Sequence, residues 1–177
     1  MSQTVAAASE LDPKLKELTA EVADLILNKG ITVGQMHNLT DQDYEAVYNL
    51  GYNLYNQAKY EEALKAFTFL TFFNHLERRY IKALASCQQM LKRYDAAIQS
   101  YAIATLLDAS DPEPTLHTAE CLIALGMIDE ACEALELVIE DTAGKPQYAA
   151  LRQRAEAMVE LIREHTKKSA QANQDKK

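Results

Sequence analysis

The feature that most restricts this chain is a repeat. Between Tyr44 and Lys145 the sequence returns to itself every 34 residues. Tyr60–Phe67 (YEEALKAF), Tyr94–Tyr101 (YDAAIQSY) and Ile128–Leu135 (IDEACEAL) superimpose without a gap, so the register is fixed. Ala63, Ala97 and Ala131 fall in one column, Phe67, Tyr101 and Leu135 in a second, and Glu61, Asp95 and Asp129 in a third. Upstream in each unit, Gly51, Ala85 and Ala119 form a fourth column of small residues, each inside its own helical pattern.

A 34-residue period with this layout resembles the tetratricopeptide repeat, a helix-turn-helix unit. Two helices of a unit can cross closely only where side chains are small, which the glycine and alanine columns supply. A large residue four positions after each alanine lies on the same face one turn along and packs against the next unit. Two common marks of the repeat are absent: Val47, Ile81 and Thr115 stand where a tryptophan is usual, and no proline closes each unit.

Five Gly and four Pro in 177 residues, with abundant Ala, Leu, Glu, Lys and Gln, favour helix throughout. The expected fold is all-α, a solenoid of three helix pairs with an N-terminal helix and a C-terminal capping helix. Repeats are expected at 44–77, 78–111 and 112–145, with helices near 41–57 and 60–73, 77–91 and 94–108, and 112–125 and 128–141. Thr40 with Asp43 has the form of a capping box that starts the first of these. Asp111-Pro112 gives a cap-then-proline start, and Gly126 is placed to end its helix in a left-handed conformation. Gly144-Lys145-Pro146 breaks the array. A last helix over 146–165, with Leu151, Ala155, Met158 and Ile162 on one face, would cover the open end of the solenoid.

The ends of the chain lie outside the repeats. Residues 1–11 carry no periodic apolar face and are expected to be mobile. Over 12–40 an N-terminal helical region begins at Asp12-Pro13 and presents Leu15, Leu18, Val22, Leu25 and Ile26 at helical spacing until Gly30. That stripe needs a cover, either the first repeat or the same helix of a second copy in a homodimer. Residues 166–177 are polar and lysine-rich, and a disordered tail is expected.

Charge and chemistry exclude several functions. A formal charge of −8 and the lack of a Lys/Arg cluster before the tail argue against nucleic acid as a partner. No apolar run is long enough to insert in a membrane, and the N-terminus lacks a basic n-region, which points to the cytoplasm. Cys87, Cys121 and Cys132 are odd in number, and the first two occupy equivalent places in neighbouring units, too far apart for a bridge. There is no Gly-rich phosphate loop, nucleophile elbow, HExxH or paired CxxC, so neither an enzyme nor a cofactor is expected. His117 and Cys121 stand four apart on one helix, but lack the further ligands a metal site needs.

The informative positions lie on the first helix of each pair, which lines the concave side of such a solenoid. The first unit places Tyr48, Tyr52 and Tyr55 there, three rings with polar tips. The second unit places Arg79, Lys82, Ser86 and Gln89, and the third Leu116, Glu120 and Ile123. A surface apolar at one end and polar in the middle suits an extended peptide, rings taking its apolar side chains and polar groups meeting its backbone.

Gly51–Ala63 (GYNLYNQAKYEEA), Ala85–Tyr101 (ASCQQMLKRYDAAIQSY) and His117–Leu122 (HTAECL) resemble the class II chaperones of bacterial type III secretion systems, which hold hydrophobic translocators before export. The resemblance covers about residues 25–160 and includes Asn28–Thr32 ahead of the repeats. It implies three repeats, a dimer in the bacterial cytoplasm in which the N-terminal region takes part, and a groove for a short segment of the translocator. By position, Tyr48, Tyr52 and Tyr55 would line that groove. The alternatives are a general repeat scaffold joining other proteins, one form of which grips a C-terminal carboxylate with basic residues, and a regulatory cofactor of a transcription factor. Tyr48 and Tyr52 stand where the first form needs basic groups.

Overall fold

The computed structural model describes Asp24 and residues 31–174. A short helix, α1 (Val33–Met36), leads into three antiparallel pairs: α2 (Asp41–Asn56) with α3 (Tyr60–Phe73), α4 (Arg78–Met90) with α5 (Tyr94–Leu107), and α6 (Glu113–Leu125) with α7 (Ile128–Asp141). A 3-10 turn over Pro146–Tyr148 then opens α8 (Ala149–Gln174). Each helix from α2 onward packs against the next, and α8 reaches past α7 to touch α6.

Local signals set the boundaries. Thr40 Oγ1 accepts from the Asp43 N–H at 3.3 Å while the Asp43 carboxylate accepts from the Thr40 N–H at 2.9 Å, a complete capping box. Thr32 and Gln35 make the same reciprocal pair ahead of α1. Pro112 stands at the N-cap of α6, where Asp111 was expected, and Asp111 Oδ1 accepts from the Glu113 N–H at 3.0 Å across it. The turn inside each pair is built one way three times. Ala58, Lys92 and Gly126, 34 residues apart, all adopt left-handed backbone, with φ of 58°, 59° and 79°. The following N–H of Lys59, Arg93 and Met127 donates back to the carbonyl of Leu54, Gln88 and Leu122, at 2.9, 2.8 and 3.0 Å. This is the Schellman arrangement.

The repeat columns are the core. Ala63, Ala97, Ala131, Ala85 and Ala119 are fully buried, and Phe67, Tyr101 and Leu135 fill the space one turn on. Leu70, Ala104 and Val138 form a further buried column in the same register. At Gly51 an added Cβ would stand 2.9 Å from the Phe67 ring and 3.2 Å from Ala66 Cβ, so a small residue is a steric demand of the α2–α3 crossing. Ion pairs then staple unit to unit: Arg79 to Glu45 at 2.6 Å, Arg93 to Glu61 at 2.6 Å, and Lys82 to Glu113.

The last helix differs from expectation. It runs to Gln174 instead of ending near 165, so residues 166–174 are helical where a disordered tail was expected. The reason is local: after Pro146 the chain carries no Gly or Pro and is rich in Ala, Gln, Glu, Lys and Arg, which sustain a helix without tertiary support. Leu15, Leu18, Val22, Leu25 and Ile26, expected at a dimer interface, lie outside the described residues. Among the described residues no helix is long and apolar enough to cross a membrane.

Candidate peptide-binding groove

The first helices of the pairs share one side of the solenoid, and a cavity of about 350 Å³ opens there between α2 and α4. Tyr48, Tyr52 and Tyr55, spaced at one helical turn, line it from α2. Phe67 lines it from α3, and Arg78, Arg79, Lys82, Ala83 and Ser86 from α4, with Glu113 reaching in from α6. The rings of Tyr48 and Tyr52 lie 6.5 Å apart and nearly parallel, while Phe67 meets Tyr48 edge-on at 5.8 Å. Tyr52 is 52% exposed, a large ring held open to solvent by stacking on a neighbour that is itself half-buried.

The opposite side is charged but internally matched. Arg79 pairs with Glu45, and its guanidinium carbon stands 5.1 Å from the Tyr48 ring centre, a cation–π contact that fixes the ring. Arg78 pairs with Asp108 and lies 3.4 Å from Asp111. Lys82 holds Asp111 and Glu113. Burial by itself would depress the Lys82 ammonium, but its bonds to these two carboxylates outweigh burial and keep its pKa above the ordinary lysine value. Three cations thus face the cavity, each already holding a carboxylate.

Of the ten groove positions read from sequence, the structure brings Tyr48, Tyr52, Tyr55, Arg79, Lys82 and Ser86 together around the cavity. Gln89 is not among the lining residues: its Nε2 donates to Glu120 at 3.0 Å and its Oε1 accepts from the Tyr101 hydroxyl at 2.8 Å. Leu116 is a correction. It is 2% exposed and packs with Ala119, Leu135, Val138, Ala155 and Val159, and Ile123 is half-buried against the same cluster. The cause is α8, which contacts α6 as well as α7 and so converts the inner face of the last unit from groove into core. Glu120 stays polar because Gln89, His117 and Arg154 surround its carboxylate.

Phe67 and Arg78 line the cavity although their sequence pattern gave only a packing column and a helix start. No spacing signal marks them, because they reach the cavity through the stacking of different units. His117 Nδ1 donates to Glu120 Oε2 at 3.0 Å, and its ring stacks on Tyr101 at 5.3 Å. Cys121 is fully buried with Ala85, Ala97 and Tyr101. Burial pushes its thiol up to about 11 and that of Cys87 to about 12, so neither forms a thiolate at neutral pH.

Two family models match, both of the tetratricopeptide repeat, over residues 44–75 and 76–155. Low calcium response locus protein H of Yersinia pseudotuberculosis is 34% identical over 137 residues, 77% of this chain and 82% of that protein. Among solved structures, the Yersinia enterocolitica translocator chaperone SycD in complex with a peptide of the translocator YopD is 35% identical with a TM-score of 0.68, covering 72% of this chain and 97% of SycD. PcrH of Pseudomonas aeruginosa, in complex with the chaperone binding region of PopD, is 34% identical with a TM-score of 0.68, covering 72% of this chain and 96% of PcrH. Repeat register, fold and sequence agree across most of both lengths, and the chain belongs to the tetratricopeptide-repeat family of type III secretion translocator chaperones.

Proposed function

We propose that this protein is a chaperone that takes an extended segment of hydrophobic type III secretion translocators into the groove between α2 and α4, keeping them soluble and apart before export. The observation that carries the reading is the wall of Tyr48, Tyr52 and Tyr55 beside an open cavity of about 350 Å³. Such a volume holds a few side chains of an extended peptide, and rings with polar tips accept apolar groups without becoming insoluble themselves. Burying the client's apolar surface removes the drive for it to self-associate.

The role calls for no cofactor and no catalysis. It is carried out in the bacterial cytoplasm, with a homodimer through the N-terminal region as the free form, and involves neither nucleic acid nor insertion into a membrane. A carboxylate-gripping scaffold is a poorer match, because Arg78, Arg79 and Lys82 are each occupied by an internal carboxylate. Truncating an interface tyrosine commonly weakens binding by about 2 kcal/mol, roughly thirtyfold. Tyr52→Ala is therefore expected to reduce affinity for a labelled YopD or PopD peptide by that order in a fluorescence anisotropy titration, with helicity unchanged because half of the ring is already in solvent. Equal affinity of variant and parent would remove the groove from the account.

A further inference from the structure

Ser86 and Glu120 occupy equivalent positions in the second and third units, following Tyr52 in the first. Only Ser86 reaches the cavity, yet a directed line of hydrogen bonds joins the two. The Tyr101 hydroxyl gives its one proton to Gln89 Oε1 at 2.8 Å, so across the 3.2 Å contact it accepts from Ser86 Oγ, whose single proton is also within reach of the Lys82 carbonyl at 2.9 Å. The amide of Gln89 then donates through Nε2 to Glu120 Oε2 at 3.0 Å. Its two ends allow this one orientation, since the oxygen must face the phenol and the nitrogen the carboxylate. Tyr101 is 1% exposed, so its hydroxyl has no access to water as a substitute partner.

The far end of the line rests on the capping helix. Glu120 Oε1 is shut off from solvent and has no aligned hydrogen-bond donor; the Arg154 guanidinium of α8 neutralises it as an ion pair. Arg154 itself is 57% exposed, while its neighbours Ala155 and Val159 anchor α8 in the core. A carboxylate left inside without its cation is strongly disfavoured and turns toward water. That movement takes away the acceptor of Gln89, frees the amide to rotate, and lets the Tyr101 phenol turn its proton toward Ser86, whose own proton then goes to the Lys82 carbonyl, 2.9 Å away, instead of to the phenol.

We infer that Arg154 is a positioning residue for the peptide groove: by holding the Glu120 carboxylate inward from α8, it fixes through Gln89 and Tyr101 the hydroxyl that Ser86 presents to the cavity. The capping helix is then part of the binding device as well as a cover for the last repeat. This inference rests on the groove reading above.

The test measures affinity for labelled YopD and PopD peptides, with circular dichroism alongside, for the parent, Arg154→Ala, Arg154→Lys, Glu120→Gln, the Glu120→Gln/Arg154→Ala pair and Tyr52→Ala. Arg154→Ala is expected to weaken binding by about tenfold, the middle of the range for coupled neighbours. Arg154→Lys, which keeps the charge, is expected to restore most of it. In the Glu120→Gln background the neutral amide needs no cation, so adding Arg154→Ala is expected to change nothing further. An equal loss in both backgrounds would mean that Arg154 acts by simple contact and would overturn the inference. So would Arg154→Ala binding like the parent while Tyr52→Ala loses affinity, an outcome that leaves the groove standing. If the parent binds neither peptide, or neither Tyr52→Ala nor Arg154→Ala alters affinity, the groove reading itself falls.

Discussion

Gly34→Ala offers a close test of how the chain enters the repeats. Gly34 lies in α1, buried, at an ordinary helical φ, so alanine there meets no backbone strain. What it meets is Tyr44: an added Cβ would stand 1.5 Å from the phenol oxygen, 2.8 Å from Cζ and 3.1 Å from the Phe73 carbonyl oxygen. The Tyr44 ring, 6% exposed, must therefore leave its place, along with its 3.3 Å hydrogen bond to that same carbonyl and its stacking on Tyr80 at 6.0 Å. Losing most of the burial of one large side chain costs about 2 kcal/mol and the hydrogen bond about 1 kcal/mol. Alanine returns about 1 kcal/mol as the better helix former. The net loss is about 2 kcal/mol, which for a chain of this size lowers the melting temperature by about 4–8 °C. Thermal unfolding followed by circular dichroism measures it. The substitution is expected to cost less in a Tyr44→Phe background, where the atom at 1.5 Å is gone. A Gly34→Ala protein as stable as the parent, or an equal loss in both backgrounds, would refute the claim that the tyrosine hydroxyl occupies the space of the missing side chain.

Two further predictions concern the turns and acid. Lys92 is exposed and left-handed, so Lys92→Gly is expected to raise stability by up to about 1 kcal/mol in urea unfolding, whereas Gly126→Ala, with open space around its Cβ, is expected to lower it by a similar amount; effects of the opposite sign would show that the left-handed conformation is not what the turn requires. Burial alone raises the pKa of Glu120, but hydrogen bonds from His117 and Gln89, with the charges of His117 and Arg154, outweigh it and hold the carboxyl below its ordinary value. Its folded pKa is thus lower than its unfolded one, so its contribution is complete above the ordinary glutamate pKa of about 4.3 and disappears as pH falls through the lower folded value. The stability gap between the parent and Glu120→Gln is expected to narrow across that window in urea titrations, and a gap that stays constant would contradict the assignment.

How far the site was legible from sequence differs by unit. Tyr48, Tyr52 and Tyr55 were readable because helical spacing alone puts them on one face, and among the described residues no later helix covers that face. Leu116 obeys the same spacing but is buried, since exposure depends on whether another helix lies over the position, and α8 does so at the last unit only. The three inner turns show the same limit in reverse. Gly126 announces a left-handed turn, whereas Ala58 and Lys92 adopt it without any compositional sign, carried by the register of the repeat and by the bonds that close each turn.

The amino-acid order by itself determined the period, the small-residue crossings and the aromatic face of α2, because each is a matter of side-chain size and spacing along one or two helices. Only the assembled tertiary structure decided where the groove stops, which cations are already matched, and that Arg154 forms an ion pair with Glu120, whose carboxylate also accepts from Gln89. Those outcomes depend on distances between helices separated by dozens of residues, and such distances are set by how whole units stack rather than by any local pattern.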